Sequence, residues 1–193
     1  ALMDTALRRR FHFEEMMPNP EELNDLKELE ISFFKEGSID KINIKELLKK
    51  INQRIEYLYD RDHTIGHAYF MSLKDEKITD KKAELDNIFR NKIIPLLQEY
   101  FYDDWEKIQI VLGDHPEQFK KKNIKKDFEF HQFIKSEEMK SEKILGFDYQ
   151  DVDNIIYEFN VNNYFSSYAY KKIYDEYESI LGHIKNFESL KED

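Results

Sequence analysis

Residues that interrupt helices are scarce in this 193-residue chain, which holds only 5 Gly and 4 Pro. Gly and Pro are the strongest local punctuators of backbone structure, so long helices with few breaks are expected. The apolar pattern agrees. Asn43, with Glu46 three residues later, is a capping-box signal. Behind it Leu47, Leu48, Ile51, Ile55 and Leu58 recur at the spacing of one helical face. That helix is expected to stop near Tyr59. Asp80 can cap a second helix whose apolar face is Leu85, Ile88, Phe89, Ile93, Leu96, Leu97, Tyr100 and Phe101. Pro95 removes an amide donor there and is expected to kink or divide it. Trp105 to Leu112 continue as a helix, with Gly113 as its C-terminal stop.

The flanks are less regular. Residues 1–9 read as a short helix, with Leu2, Met3, Ala6 and Leu7 at helical spacing and Arg8, Arg9 and Arg10 loading its last turn. Phe11 and Phe13 alternate with His12 and Glu14, the period of a strand. Pro18 and Pro20 end it. A helix is then expected from Glu21 to about Lys35, on Leu23, Leu26, Leu29 and Phe33. Asp60 to Phe70, DRDHTIGHAYF, reads as a loop around Gly66 that leads into a short extended or helical piece. After Gly113 the signal weakens. Residues 127–146 are polar and poorly periodic, Tyr157, Phe159 and Val161 alternate, and Ser166 or Ser167 can cap a final helix bearing Tyr170, Ile173, Tyr174, Tyr177 and Ile180. No internal repeat is visible.

Composition narrows the function classes. Hydrophobic residues at 40% sustain a core, and 15% aromatics argue against wholesale disorder. A net charge of -10 repels phosphate backbones, which disfavours primary nucleic-acid binding by this segment. The absence of Cys excludes disulfides and thiolate metal sites and fits a reducing cytosol. No apolar run approaches the roughly 20 residues that span a bilayer, and no secretory signal is visible. A cytoplasmic protein without a membrane partner is expected.

Three segments carry candidate chemistry. The first is the arginine triplet, Arg8 to Arg10. Guanidinium is permanently charged and forks onto phosphate oxygens. At a subunit edge it can reach a neighbour's γ-phosphate, where an arginine supplied in trans contributes roughly 10³–10⁵ in rate. Taken alone, the triplet is better read as a cationic helix end paired with surface carboxylates, since basic triplets are common. The second is the Asp60–Phe70 loop. His63 and His67 stand four apart with Asp60 and Asp62 nearby, a spacing that on a helix could present two imidazoles to a metal. Thr64 stands where the metalloprotease motif needs its Glu, and Gly66 weakens the helix. A hydrogen-bonded structural His67 beside Tyr69 and Phe70 is therefore favoured, and no metal site is expected. The third is the basic run Lys120, Lys121, Lys122, Lys125 and Lys126, a DNA or partner contact or, as so acidic a chain favours, a solvated loop. No G-x-x-x-x-G-K-[ST] phosphate cradle and no apolar run ending in paired acids is present. The chain alone is not expected to hold or hydrolyse a nucleotide.

The string Ala1 to Phe11, A-L-x-D-x-A-L-R-R-R-F, resembles the segment after the sensor-1 region in AAA+ proteins of the McrB type, the GTP-hydrolysing subunits of methylcytosine-dependent restriction systems. Ile65 to Phe70, I-G-H-A-Y-F, is similar to a string in that family's lid. Ile93 to Asp104, followed by Trp105 and Leu112-Gly113-Asp114, resembles the C-terminal part of the same lid, and Ala169 to Tyr174 is weakly similar to the family's end. The resemblance implies a mainly α chain in three parts. These are the end of an AAA+ core with a remnant strand (1–18), a helical lid (19–114) and a C-terminal extension (115–193). It implies that Arg8 and Arg9 act on the nucleotide of an adjacent subunit, that Arg10 is structural and that Asp4 orients the helix or an arginine. It also implies that Thr64, Gly66 and His67 lie on the loop that faces nucleotide. Thr64 stands where some members carry an arginine, so Arg61 or His63 is the nearest substitute. The chain is read as the C-terminal piece of a longer motor. In full, that motor would be a hexamer using GTP or ATP with Mg, coupled to DNA translocation through other regions and to a McrC-type nuclease. The rival readings are a stand-alone helical protein-interaction module without an NTPase role, and a small metal-dependent hydrolase using His63 and His67.

Overall fold

The computed structural model describes residues 14–32, 39–102, 104–118, 132–149, 155–160 and 165–175. The arginine triplet, the Phe11–Phe13 strand and the Lys120–Lys126 run lie outside the described residues. The described residues are mainly α, with two short antiparallel ribbons among them.

The central helix, α1 (Ile44–Leu58), starts where the capping box predicts. Asn43 is extended, and its side chain accepts the Glu46 N–H at 3.0 Å. Ile44, Leu47, Leu48, Ile51 and Ile55 are buried. Helix α2 (Lys81–Ile88) is capped by Asp80, which accepts the Ala83 N–H at 2.9 Å. Pro95 does divide the apolar stretch beyond it. A π-helical turn (Phe89–Ile93) precedes α3 (Ile94–Phe101), and the Ile94 N–H reaches back to the Phe89 carbonyl. A proline cannot donate to the carbonyl four residues earlier and its ring crowds that carbonyl, so widening the preceding turn lets the helix pass. Helix α4 (Trp105–Leu112) is capped by Asp104 and ends at Gly113, whose φ of 74 is the left-handed geometry that suits Gly.

The expected helix from Glu21 to about Lys35 is instead two elements. Pro20–Leu26 is a 3₁₀ helix capped by Asn19, and Leu29–Ser32 is strand β1. Strand β1 pairs with β2 (Ile39–Ile42) in the register Leu29↔Ile42 and Ile31↔Asp40. Leu23 and Leu26 fit a helix and Leu29 and Ile31 fit a strand, so the local pattern serves both. Pairing with a segment about ten residues on, which buries Ile31 and Ile42, decides it. A second ribbon joins β3 (Ile134–Glu138) and β4 (Ile155–Phe159), with Ile134 opposite Phe159. Between them lies the single turn α5 (Ser141–Leu145). Strand β3 is buried at Ile134 and exposed by Glu138, so the ribbon runs outward from the core.

The last helix, α6 (Ser167–Tyr174), is capped by Ser166 and docks into the same core as α1 to α4. Aromatic rings join the two regions. Phe89 stacks on Phe133 at 5.1 Å, Phe133 meets Phe165 at 4.6 Å, and Tyr170 sets its edge on Phe89 at 5.0 Å. Such pairs add about 0.5–1.5 kcal/mol each beyond area burial. Charges anchor α6 as well. Asp114 is fully buried, accepts the Phe133 and Ile134 amides at 2.9 Å each, and pairs with buried Lys172. Burial pushes the Asp114 carboxyl up and the Lys172 amine down, while the pairing opposes both shifts. Arg54 donates to the Val111 carbonyl at 2.8 Å beside this pair, and its burial lowers its pKa to about 10 against the pull of Asp114. Tyr170 donates to Asp86, which also pairs with Lys82. Removing one member of a buried pair of this kind costs about 3–5 kcal/mol, because the other charge is left desolvated.

Candidate functional site

The Asp60–Phe70 loop leaves the C-terminal end of α1 and is fixed by four local anchors. The first is Asn52, within the last two turns of that helix. Its side chain donates to the Ile65 carbonyl at 2.9 Å and accepts the Ile65 N–H at 2.7 Å. That reciprocal pair satisfies both backbone groups of a fully buried Ile65. Asp60 forms the second anchor. Its Oδ1 accepts the His63 N–H at 3.0 Å and lies 2.7 Å from His63 Nδ1. The His63 hydrogen bond is the largest cause holding the Asp60 carboxyl below its ordinary value. The His63 ring sits edge-on to Tyr59 at 4.3 Å and Tyr100 at 4.9 Å. Thr64 supplies the third, its hydroxyl donating to the Arg61 carbonyl at 2.8 Å. The fourth is the 3₁₀ helix His67–Lys74, which buries Phe70 and Leu73 behind the loop.

These anchors separate the two histidines. His63 is held by Asp60, whereas His67 Nδ1 accepts the Asn19 N–H at 3.2 Å. Among the described residues no group of three or more His, Asp or Glu is placed to hold a metal. As an acceptor Nδ1 carries no proton, so the remaining donor of the neutral His67 ring is Nε2–H. Gly66, between Ile65 and His67, has φ -70 and ψ 143, which any residue can adopt, and a Cβ built there meets no atom within 4 Å. The loop thus leaves the backbone open at Gly66, with the Thr64 hydroxyl turned to the Arg61 carbonyl and His67 Nδ1 to Asn19. Of the residues singled out from sequence, Thr64, Gly66 and His67 are brought together here, and Arg8 and Arg9 lie outside the described residues.

Sequence reasoning missed Asn52 and the incoming segment, in which Glu15 meets Arg61 and Asn19 meets His67. Asn52 did leave a signal. A short amide in mid-helix runs against helix propensity, which favours a side chain with a backbone partner elsewhere.

Residues 43–109 match the family described as McrB, alpha-helical lid domain. This stretch is similar to a McrB-type lid. The chain is also 37% identical over 114 residues to the Type IV methyl-directed restriction enzyme EcoKMcrB subunit of Escherichia coli (strain K12). That alignment covers 56% of this chain and 24% of the relative, so the chain spans about a quarter of that protein's length. The McrB lid match opens on the Asn43 cap of α1 and closes at Gln109 in α4. Thr64, Gly66 and His67 fall inside it. Its last residue also touches the outer ribbon, since the Gln109 side chain donates to the Ile134 carbonyl at 3.1 Å. No helix among the described residues is long and apolar enough to cross a membrane.

Proposed function

We propose that this chain is the lid-bearing part of an AAA+ nucleotide hydrolase subunit that powers a modification-dependent restriction system in the cytoplasm. The observation that carries the reading is the McrB lid match over residues 43–109, on the loop just described. Arg8 and Arg9 act in trans on the nucleotide of a neighbouring subunit in a hexameric ring, and the phosphate-binding loop belongs to another part of the protein. The nucleotide is GTP or ATP with Mg. A McrC-type nuclease is the partner, and DNA is engaged by other regions.

The lid loop fits a nucleotide. Gly66 leaves room for close approach of a ligand to the backbone. His67 Nε2–H is a neutral donor of the kind that hydrogen-bonds ribose or phosphate oxygens without adding charge, while the Thr64 hydroxyl, its proton given to the Arg61 carbonyl, is left to accept from a ribose hydroxyl. Asn52 and Phe70 fix these groups to the lid body, so the loop reports the nucleotide's presence by moving the lid as one unit.

The experiment is Arg8→Ala in the assembled motor. Hydrolysis is expected to fall by about 10³ while nucleotide affinity stays within a factor of about three. Turnover at the wild-type rate would refute the assignment. The interaction-module reading rests on a different observation, the exposed Ile144, Leu145, Phe147, Tyr149, Ile155 and Ile156 on the outer ribbon and its connecting turn. As a stand-alone module without an NTPase role it is the rival of the first reading.

A further inference from the structure

The outer ribbon is anchored at one end. There Ile134, opposite Phe159, is buried, and Tyr157 stacks on Trp105 at 6.3 Å. Side chains alternate along a strand, so Ile155 and its cross-strand partner Glu138 continue the face that carries Ile134 and Tyr157. By that point the ribbon has run past the core, and Ile155 is 46% exposed. Ile156, on the opposite face and across from Glu137, is 44% exposed. Both faces of the ribbon's outer end thus carry an uncovered isoleucine.

The turn beyond enlarges this surface. Helix α5 begins just past β3, and the Tyr149 N–H donates to the Ser141 hydroxyl at 2.9 Å, which folds residues 146–149 back beside α5. Ile144, Leu145, Phe147 and Tyr149 are all exposed at this end, with Phe147 edge-on to Tyr149 at 6.1 Å. Large apolar side chains scattered singly on a surface need no explanation, whereas a cluster rimmed by charge marks an interaction site. The rim is acidic: Glu137, Glu138, Glu142 and Asp148 outnumber Lys140 and Lys143. A second copy of the chain would set these carboxylates against their own kind, with -10 on each partner. Nucleic acid and anionic lipid are repelled in the same way.

We propose that the outer end of this ribbon docks an extended segment of another protein, apolar and basic in composition. An extended segment laid along β4 sets successive side chains on both faces, which matches Ile155 and Ile156, whereas a helix would cover one face. Its apolar residues meet the two isoleucines. Its Lys or Arg side chains reach Glu137 and Glu138, which stand about 5 Å across the ribbon from them. The inference rests on the surface used in the second reading above and holds with or without a hydrolase, so the outcome of Arg8→Ala leaves it untouched.

The probe is a short labelled peptide of alternating Val and Lys, titrated into the full-length protein and followed by fluorescence anisotropy. Control peptides carry Glu for Lys, or Ser for Val. The Val-Lys peptide is expected to bind about tenfold tighter than either control. Ile155→Thr with Ile156→Thr is expected to weaken it about tenfold at an unchanged thermal midpoint, since both side chains are exposed. Glu137→Lys with Glu138→Lys is expected to exchange the preference, making the Val-Glu peptide the tighter. Equal binding of the three peptides would overturn the proposal. So would wild-type affinity in the isoleucine variant, or a preference that the charge reversal leaves in place. Dimerisation of the protein, or its binding to neutral phosphatidylcholine vesicles, would also overturn it if the isoleucine variant abolished either, because the surface would then have a different occupant.

Discussion

Gly66 and Gly113 are both glycines at the edges of helical segments, and the structure asks opposite things of them. At Gly113 a Cβ would stand 3.0 Å from the Lys172 carbonyl oxygen, on a backbone with φ +74. The constraint there is internal to the fold. At Gly66 the backbone is ordinary and the space is open, so nothing within the described residues asks for Gly. The proposed nucleotide does. Gly66→Val is therefore expected to leave the stability of the chain unchanged or raised by at most about 1 kcal/mol, with no fall in thermal midpoint, since it trims unfolded-state freedom. In the assembled motor the same substitution is expected to raise the KM for nucleotide several-fold. A lowered midpoint with normal KM would place the constraint inside the fold instead. Capping residues such as Asn43, Asp80 and Gly113 were legible in sequence because their partners lie within one turn. Asn52 with Ile65, and Glu15 with Arg61, were not, because 13 and 46 residues separate those partners.

Helices with an uninterrupted apolar face declared themselves, while elements that depend on distant pairing did not. Helix α1 follows its pattern from cap to stop, and Pro95 announces the division before α3. Strand β1 looked helical because the Leu23–Leu29 spacing fits that period too, and β3 was hidden because only one end of it is buried. Helix α6 shows how much of an element's role lies outside its own sequence. Its AYKKIY string reads as a modest amphipathic turn, yet Tyr170, Lys171, Lys172 and Tyr174 each find a partner on a different segment. The Tyr174 hydroxyl accepts the N–H of Asn43, the residue that caps α1, at 3.1 Å. Lys171 pairs with Asp40 on β2. Burial pushes the Asp40 carboxyl up, but hydrogen bonds from Lys171 and Ser167 and the Lys171 charge outweigh it, leaving its pKa below the ordinary 3.8. A carboxylate lowered on folding stabilises above its unfolded pKa, and that contribution is lost as pH falls through the folded value. Wild type is thus expected to be more stable than Asp40→Asn at about pH 6, with the difference shrinking as pH falls below the ordinary 3.8 and through the lowered folded value. Thermal unfolding of both proteins across that range checks it, and a difference that persisted in acid would assign Asp40 a packing role alone.

At the scale of the molecule, one hydrophobic core runs from Leu23 through the McrB-type lid to Ile173. Phe133, Phe165 and Tyr170 complete an aromatic cluster begun by Phe70 and Phe89. A body knit this way is suited to the rigid-body movement that the proposed lid role requires. The arginine segment enters that body through residues 14–19, at the loop proposed to face nucleotide. The proposed function requires that Arg8 and Arg9 serve a nucleotide held by another subunit. The most direct measurement mixes two inactive subunits, one carrying Arg8→Ala with an intact phosphate-binding loop, the other with that loop disabled and Arg8 intact. Mixed rings are predicted to recover part of the nucleotide hydrolysis, because an intact phosphate-binding loop beside a loop-disabled subunit then meets an intact arginine. A mixture as inactive as its two components would contradict action of Arg8 in trans.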